Sequence, residues 1–357
     1  MKPGKLILET GEIFDGFAPD WQTKTTFGEI VFNTGMTGYE ETLTDPSYSG
    51  QILTFTYPII GNYGVSKGLN FESEKIHAHG VICQNIFDAP AHHAGIYTFL
   101  NWLKDHQVPI LLGVDTRELT KILRHHGVVA SALIFENETL LTNSDISLKF
   151  PNFLHEHLVK KTSCSKAVTH GNGKLKIILV DCGLKRNILN NLLKFDVTVK
   201  QVPFNYDYTN EEYDGVVLSN GPGDPKQCIE TIEVLKKALE KNQPIFGICL
   251  GSQLMALAVN ANTYKLKFGH RGQNQPCINT ANNLCYLTAQ NHGYAIDETT
   301  LPLDWQVTFK HLNDNTVSGI KHLHKPFSAV QFHPEAAAGP HDTFYLFEEF
   351  IKQVANS

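Results

Sequence analysis

PIFGICLGSQLMALAV, residues 244–259, is the stretch on which the reading of this chain turns. An apolar run of strand length (Pro244, Ile245, Phe246) meets Gly247, Cys249 and Gly251, and a helix-like run of Leu254, Met255, Leu257 and Ala258 follows. Strand, sharp turn and helix with a cysteine at the turn have the form of a nucleophile elbow, where small flanking residues let the chain present one side chain. The following helix aims the positive end of its dipole at the sulfur and favours thiolate. A buried structural cysteine is the alternative, because free cysteines are among the most buried residues. Deciding between the two requires a base and an acid elsewhere in the chain.

Working outward, the predicted strand FSAVQF (residues 327–332) runs into His333, Pro334 and Glu335. Two residues apart on an extended chain, His333 and Glu335 point to the same side, so the carboxylate can hold the imidazole's tautomer. Cys249, His333 and Glu335 thus supply nucleophile, base and orienting acid, in that chain order. Both Cys249 and His333 fall at C-terminal ends of predicted strands, the edge where open parallel sheets bind ligands. SNGPGDP (residues 219–225) follows the predicted strand DGVVLS, and amides freed by Gly221 and Gly223 can combine with that of Leu250 as an oxyanion hole. A plain β-turn is the alternative there, and the stretch lacks a dinucleotide fingerprint. QNHGYA sets Asn291, His292, Gly293 and Tyr294 after another predicted strand end, in a loop whose polar groups suit substrate recognition.

Around the elbow, strand and helix patterns alternate. KIILVD, VTVKQV and DGVVLS read as strands, and LKRNILNNLLK and KQCIETIEVLKKALEK as helices, the latter with Ile229, Ile232, Val234 and Leu235 on its apolar side. YKLKFG, NLCYLTAQ, WQVTFK and TVSGI are strand-like, and DTFYLFEEFIKQV closes the chain as a helix. The alternation predicts a mainly parallel sheet covered on both faces. The first half reads differently: LILET, EIVFN, QILTFTYP, HGVIC and VVASALIF are short strands between turn clusters. Helices are predicted over residues 96–105 and from Asp115 and Thr116 to Gly127, while MTGYEETLTDPSYSG (residues 36–50) has the composition of a surface loop. From Glu136 to about Lys174 the apolar period fades. The expected organisation is an α/β protein with a mixed β/α domain at residues 1–150, a linker at 151–173, and an open, mainly parallel sheet with helices on both faces at 174–357.

Composition excludes several classes of function. A net charge of −6, with no basic block, argues against nucleic acid as a partner. Cys83, Cys164, Cys182, Cys228, Cys249, Cys277 and Cys285 are odd in number and include no CxxC pair, which speaks against a disulfide framework and for a reducing cytoplasm. The N-terminus turns acidic before a signal-peptide core can form, and no apolar run approaches the roughly 20 residues of a membrane span. Among 17 histidines, the pairs His77/His79, His322/His324, His92/His93 and His125/His126 come with no third ligand at zinc-site spacing, so no metal is expected.

With the elbow, SNGPGDP, NHGYA and QFHPEA in this order, the second half resembles a class I glutamine amidotransferase, a triad-type glutaminase domain. FNTGMTGYEETLTDPSYSGQILTFTYPIIGNYG (residues 32–64), GVDTRELTKILR (113–124) and GHRGQNQPC (269–277) are similar to the small-chain family of glutamine-hydrolysing carbamoyl-phosphate synthases. That resemblance implies Cys249 as nucleophile, His333 as base and acid, and Glu335 as orienter. It implies glutamine contacts at Ser47, Gly221, Gly223, Leu250, Gln253, Asn291, Gly293 and Tyr294. It further implies a large synthetase subunit, in a heterodimer or higher assembly, that receives ammonia and carries ATP and magnesium, no cofactor being bound in this chain. Carbamoyl phosphate for arginine and pyrimidine synthesis would be the product. Ser252 stands where the family often has His and Tyr294 where Phe is common; PAHHAGIYTFLNWL (residues 90–103) also departs from the family sequence. A free-standing cysteine hydrolase of γ-glutamyl substrates and a non-catalytic regulatory module are the rival readings.

Overall fold

Strands that are apolar at every position need cover on both faces, and the sheet carrying the elbow is built from them. In the strand Leu175–Asp181, Ile177 and Leu179 face one apolar layer and Ile178 and Val180 the other. The alternation continues through Gly215–Leu218 and Ile245–Ile248, where Val217, Phe246 and Ile248 oppose Val216, Leu218 and Ile245. Helices Ile229–Leu239 and Leu250–Ala258 cover one layer through Val234, Leu235, Leu254 and Met255. Helices Arg186–Leu192 and Tyr345–Ala355 cover the other through Ile188, Leu192, Phe347, Phe350 and Val354. The computed structural model describes residues 1–89, 92, 95–135, 150–151 and 156–357. They fall into two units, Met1–Glu156 and His157–Ser357.

The second unit's sheet runs, among the described residues, Val168–Gly171, Val197–Pro203, Leu175–Asp181, Gly215–Leu218, Ile245–Ile248, Phe327–Val330, Val317–His322, Trp305–His311, Asn262–Asn279 and Cys285–Asp297. From Val197–Pro203 to Phe327–Val330 neighbours are parallel, which gives the open sheet with helices on both faces that the alternation predicts. The strands beyond are antiparallel and end in the long hairpin of Asn262–Asn279 with Cys285–Asp297.

The first unit is the expected mixed β/α domain. Its larger sheet runs Ile13–Ala18, Lys2–Leu8, Val129–Phe135, Thr26–Asn33, Gln51–Phe55, Gly80–Ile82 and Ile110–Leu111. The last four strands are mutually parallel and the first pairings antiparallel. Val31, Leu53, Val81 and Ile110 pack under Leu43, Phe99 and Trp102, and on the other face Ile30, Ile52, Ile82 and Leu111 pack under Leu119 and Leu123.

Several local expectations are corrected. Residues 36–50 are not a surface loop: they hold the helix Tyr39–Thr44 and a 3₁₀ turn Pro46–Tyr48, with Tyr39, Leu43 and Tyr48 buried. Buried Glu40 accepts from the Ser66 N–H and from Asn70 Nδ2, so its carboxylate enters the core with hydrogen-bond partners. The helix expected from residue 96 starts at Phe99, because Thr98 caps it through the Asn101 N–H and leaves Ile96 exposed. Ile229, expected on an apolar face, is 63% exposed at the first position of its helix. The stretch read as a linker contains the helix Leu158–Thr162 and the edge strand Val168–Gly171, elements too short to show a period. Residues 90, 91, 93, 94, 136–149 and 152–155, which include His93 and parts of that linker and of PAHHAGIYTFLNWL, lie outside the described residues.

Candidate active site

Parallel strands Ile245–Ile248 and Phe327–Val330 lie side by side with Ile248 opposite Val330, so Cys249 and the segment after Val330 leave the sheet at one edge. Cys249 has φ 54° and ψ −105°, a conformation that non-glycine residues rarely take, while its N–H donates to the Val330 carbonyl at 2.8 Å. The turn leaves no room beside it. A Cβ on Gly247 would meet Gly251 O at 2.7 Å, and one on Gly251 would meet Leu218 O at 2.4 Å. Ser252 Oγ donates to the Cys249 carbonyl at 2.7 Å, so the unusual serine braces the elbow from within.

His333 and Glu335 are wholly buried. His333 Nδ1 lies 2.6 Å from Glu335 Oε1, which fixes the ring and leaves Nε2 without a hydrogen-bond partner among the described residues. That nitrogen is the one available to the Cys249 sulfur, with which the ring interacts electrostatically. Burial alone would lower the His333 pKa, but the charges of Glu335 and Cys249 outweigh it and push the imidazole up. Burial alone would raise Glu335; instead Lys185 and His333 hold its carboxyl well below the usual range. Lys185 is the residue that sequence reasoning missed. Its Nζ is 3.1 Å from Glu335 Oε1 and donates to the Ala336 carbonyl at 2.7 Å, and it is itself buried. Asn187 and Asn191 donate to the Glu335 carbonyl. The signal available was position alone, since Lys185 follows a strand end at the ligand-binding edge.

Beside the elbow, a Cβ on Gly221 would lie 2.1 Å from Cys182 O and 2.8 Å from Leu250 Cδ2, so the 219–225 turn is held against Leu250 by the absence of a side chain. Gly223 has φ 88°. Neither the Gly223 N–H nor the Leu250 N–H has a hydrogen-bond partner among the described residues, leaving both donors for an oxyanion.

Asn291, His292, Gly293 and Tyr294 are not in a loop after a strand end; they sit within the strand Cys285–Asp297, facing a register irregularity between Lys265 and His270. The Asn291 carbonyl lies 3.7 Å from Cys249 Sγ. Gln253 Nε2 donates to the Tyr294 carbonyl at 2.9 Å and to Gln331 Oε1 at 3.0 Å, and Gln331 Nε2 lies 3.7 Å from the same sulfur. Gln331 was not singled out by the sequence although it belongs to QFHPEA. Ser47 lies in the first unit, buried, in the turn Pro46–Tyr48, its N–H bound to Asp45 Oδ1 at 2.9 Å.

Of the histidines picked by spacing, His77 Nε2 lies 3.0 Å from Ser73 Oγ and His322 Nε2 3.0 Å from Asp304 Oδ2. His270, His311 and Asp314 lie together, but the two rings stack nearly parallel, so their in-plane lone pairs do not converge on one ion.

The strand–turn–helix elbow on the parallel part of a doubly covered sheet belongs to a class I glutamine amidotransferase domain, for the family model "Glutamine amidotransferase class-I" matches residues 178–353. A second model, "Carbamoyl-phosphate synthase small chain, CPSase domain", matches residues 6–133. The carbamoyl phosphate synthase small chain of Lactococcus lactis subsp. cremoris is 44% identical, over 98% of both chains. That of Clostridium acetobutylicum is 43% identical, over 98% of this chain and 99% of its own. The chain belongs to the carbamoyl phosphate synthase small chain family. It is also 44% identical to the multifunctional protein CAD of Squalus acanthias, of whose length it spans 16%. No helix among the described residues is long and apolar enough to cross a membrane.

Proposed function

We propose that this chain is the glutaminase subunit of a carbamoyl-phosphate synthase, hydrolysing L-glutamine to glutamate and passing ammonia to a large synthetase subunit. The observation that carries the reading is the convergence of Cys249 with the buried His333, Glu335 and Lys185 at one sheet edge. In this scheme Cys249 Sγ attacks the side-chain carboxamide carbon of glutamine, and the N–H groups of Gly223 and Leu250 take the oxyanion. His333 delivers a proton from Nε2 to the departing ammonia. A γ-glutamyl thioester remains, and water deprotonated by His333 releases glutamate and the thiolate. Glu335 stays ionised throughout, with Lys185 compensating its charge.

Gly221, Gln253, Asn291, Gly293 and Tyr294 frame the glutamine in this proposal, and Ser47 is included on the family resemblance alone. ATP and magnesium belong to the large subunit, which makes carbamoyl phosphate from bicarbonate for arginine and pyrimidine synthesis in the cytoplasm. Matches running the full length of small chains favour this over a free-standing hydrolase or a non-catalytic module. Cys249→Ala tests it. Mixed with a large synthetase subunit, the variant is expected to lose glutamine-dependent carbamoyl phosphate formation and keep formation from added ammonia. Glutamine hydrolysis at the wild-type rate would refute the assignment.

A further inference from the structure

Gln331 reaches the elbow from the end of the strand beside it. The peptide group joining Val330 to Gln331 is bonded on both sides: its carbonyl accepts the Cys249 N–H at 2.8 Å, and its N–H donates to the Ser318 carbonyl at 2.9 Å. The Gln331 side chain therefore starts from a fixed point next to the elbow's own backbone contact. It is 1% exposed, and its Nε2 lies 3.7 Å from Cys249 Sγ.

A backbone group decides which end of its carboxamide faces the sulfur. A carbonyl oxygen only accepts, so the end of Gln253 that lies 2.9 Å from the Tyr294 carbonyl is the amino end. The same Nε2 donates its other hydrogen to Gln331 Oε1 at 3.0 Å. With its oxygen turned to Gln253, Gln331 presents N–H to Cys249. A flipped Gln331 would set its amino group against that of Gln253 and its oxygen against the sulfur, losing both contacts. Gln253 is itself buried, in the helix Leu250–Ala258 that leaves the elbow, so the relay is built on the elbow's own strand–helix frame.

Two polar neighbours of the sulfur favour opposite states. The Asn291 carbonyl, 3.7 Å away, accepts from the thiol and has nothing to donate to the thiolate. Gln331 Nε2 donates, and a hydrogen bond to an anion is about twice as strong as one between neutral groups. We propose that Gln331 is a further catalytic residue, whose side-chain N–H holds the Cys249 thiolate. When the thiol proton passes to His333 Nε2, the electron pair left on sulfur faces that donor, and it faces it again when the C–S bond of the thioester breaks and its pair returns to sulfur. Hydrogen bonding to the charged form of a group favours that form. The role deepens the glutaminase reading and rests on Cys249 being its nucleophile, while its test needs no glutamine. Packing of the elbow against the neighbouring strand is the rival account of the same side chain.

Iodoacetamide alkylation of the full-length chain, followed by mass spectrometry of the peptide carrying Cys249, reads the thiolate, because the thiolate and not the thiol is the nucleophile. Gln331→Met keeps the length of the side chain and removes the donor; Gln331→Glu keeps its shape and turns an acceptor toward the sulfur. At pH 7 Gln331→Met should be alkylated about tenfold more slowly than wild type, and Gln331→Glu more slowly still. At about pH 10, above the ordinary thiol range, Gln331→Met should match wild type, because the thiolate then forms without help. Equal rates at pH 7, or a deficit that persists unchanged at high pH, would overturn the proposal, the first leaving Gln331 as packing and the second marking lost access to the sulfur. Urea midpoints identify a variant that fails to fold, in which case the other carries the comparison. Failure of the glutaminase reading would show separately, as no glutamine hydrolysis by the wild-type chain mixed with a large synthetase subunit.

Discussion

At Cys249 the backbone holds a side chain where glycine would be at ease, φ 54° and ψ −105°. Such conformations cost about 1–3 kcal/mol, and the elbow accepts the strain to present the sulfur. Cys249→Gly is therefore expected to be more stable than Cys249→Ala by about 1 kcal/mol, both being inactive; urea midpoints of the two variants decide it. Lys185 carries a second prediction. Buried against Glu335, it compensates a carboxylate that His333 alone would have to balance. Removing one partner of a buried pair costs roughly 3 kcal/mol or more, so Lys185→Met should lose about that much at neutral pH. Acid titration gives the sign. Because the folded Glu335 pKa lies below its unfolded value, its stabilising contribution is full above about pH 4–5 and disappears as pH falls through the folded value. Lys185→Met raises the folded value, so acid unfolding should begin at higher pH, followed by circular dichroism.

At the scale of elements, the elbow works because strand and helix meet with no side chains between them. Gly251→Ala would place a methyl 2.4 Å from Leu218 O, a backbone atom that cannot swing aside. Overpacking of this kind costs about 1–3 kcal/mol; a denaturation midpoint unchanged from wild type would contradict the geometry. Elements with a clear period were legible in advance. Asp115 caps its helix through the Glu118 N–H and Gly127 ends it, as residue chemistry required. Where local chemistry and tertiary context disagree, the sequence misled. Residues 36–50 read as solvated because Glu40 hides its charge in bonds to Ser66 and Asn70, partners more than twenty positions away. Asn291 to Tyr294 read as a loop because the register irregularity opposite them lies in the partner strand.

On the molecular scale, each unit has apolar layers on both faces of its own sheet. The closing helix Tyr345–Ala355 seals one of these, with Phe347 and Phe350 buried and Phe350 stacked on Phe246 under the elbow's strand. Phe350→Ala should cost about 3–5 kcal/mol, readable as a lowered urea midpoint, because it removes the buried ring stacked on Phe246 and leaves a cavity. Sequence by itself determined the doubly covered sheet and the elbow, and picked out Cys249, His333 and Glu335 as candidates. Those features are written in periods of two and 3.6 residues, in glycines at forced turns, and in a histidine and a carboxylate two positions apart. Only the tertiary structure decided that Lys185 balances Glu335 and that Gln331 reaches the sulfur. Such neighbours come from separate strands whose order in the sheet is set by packing, which no local pattern encodes.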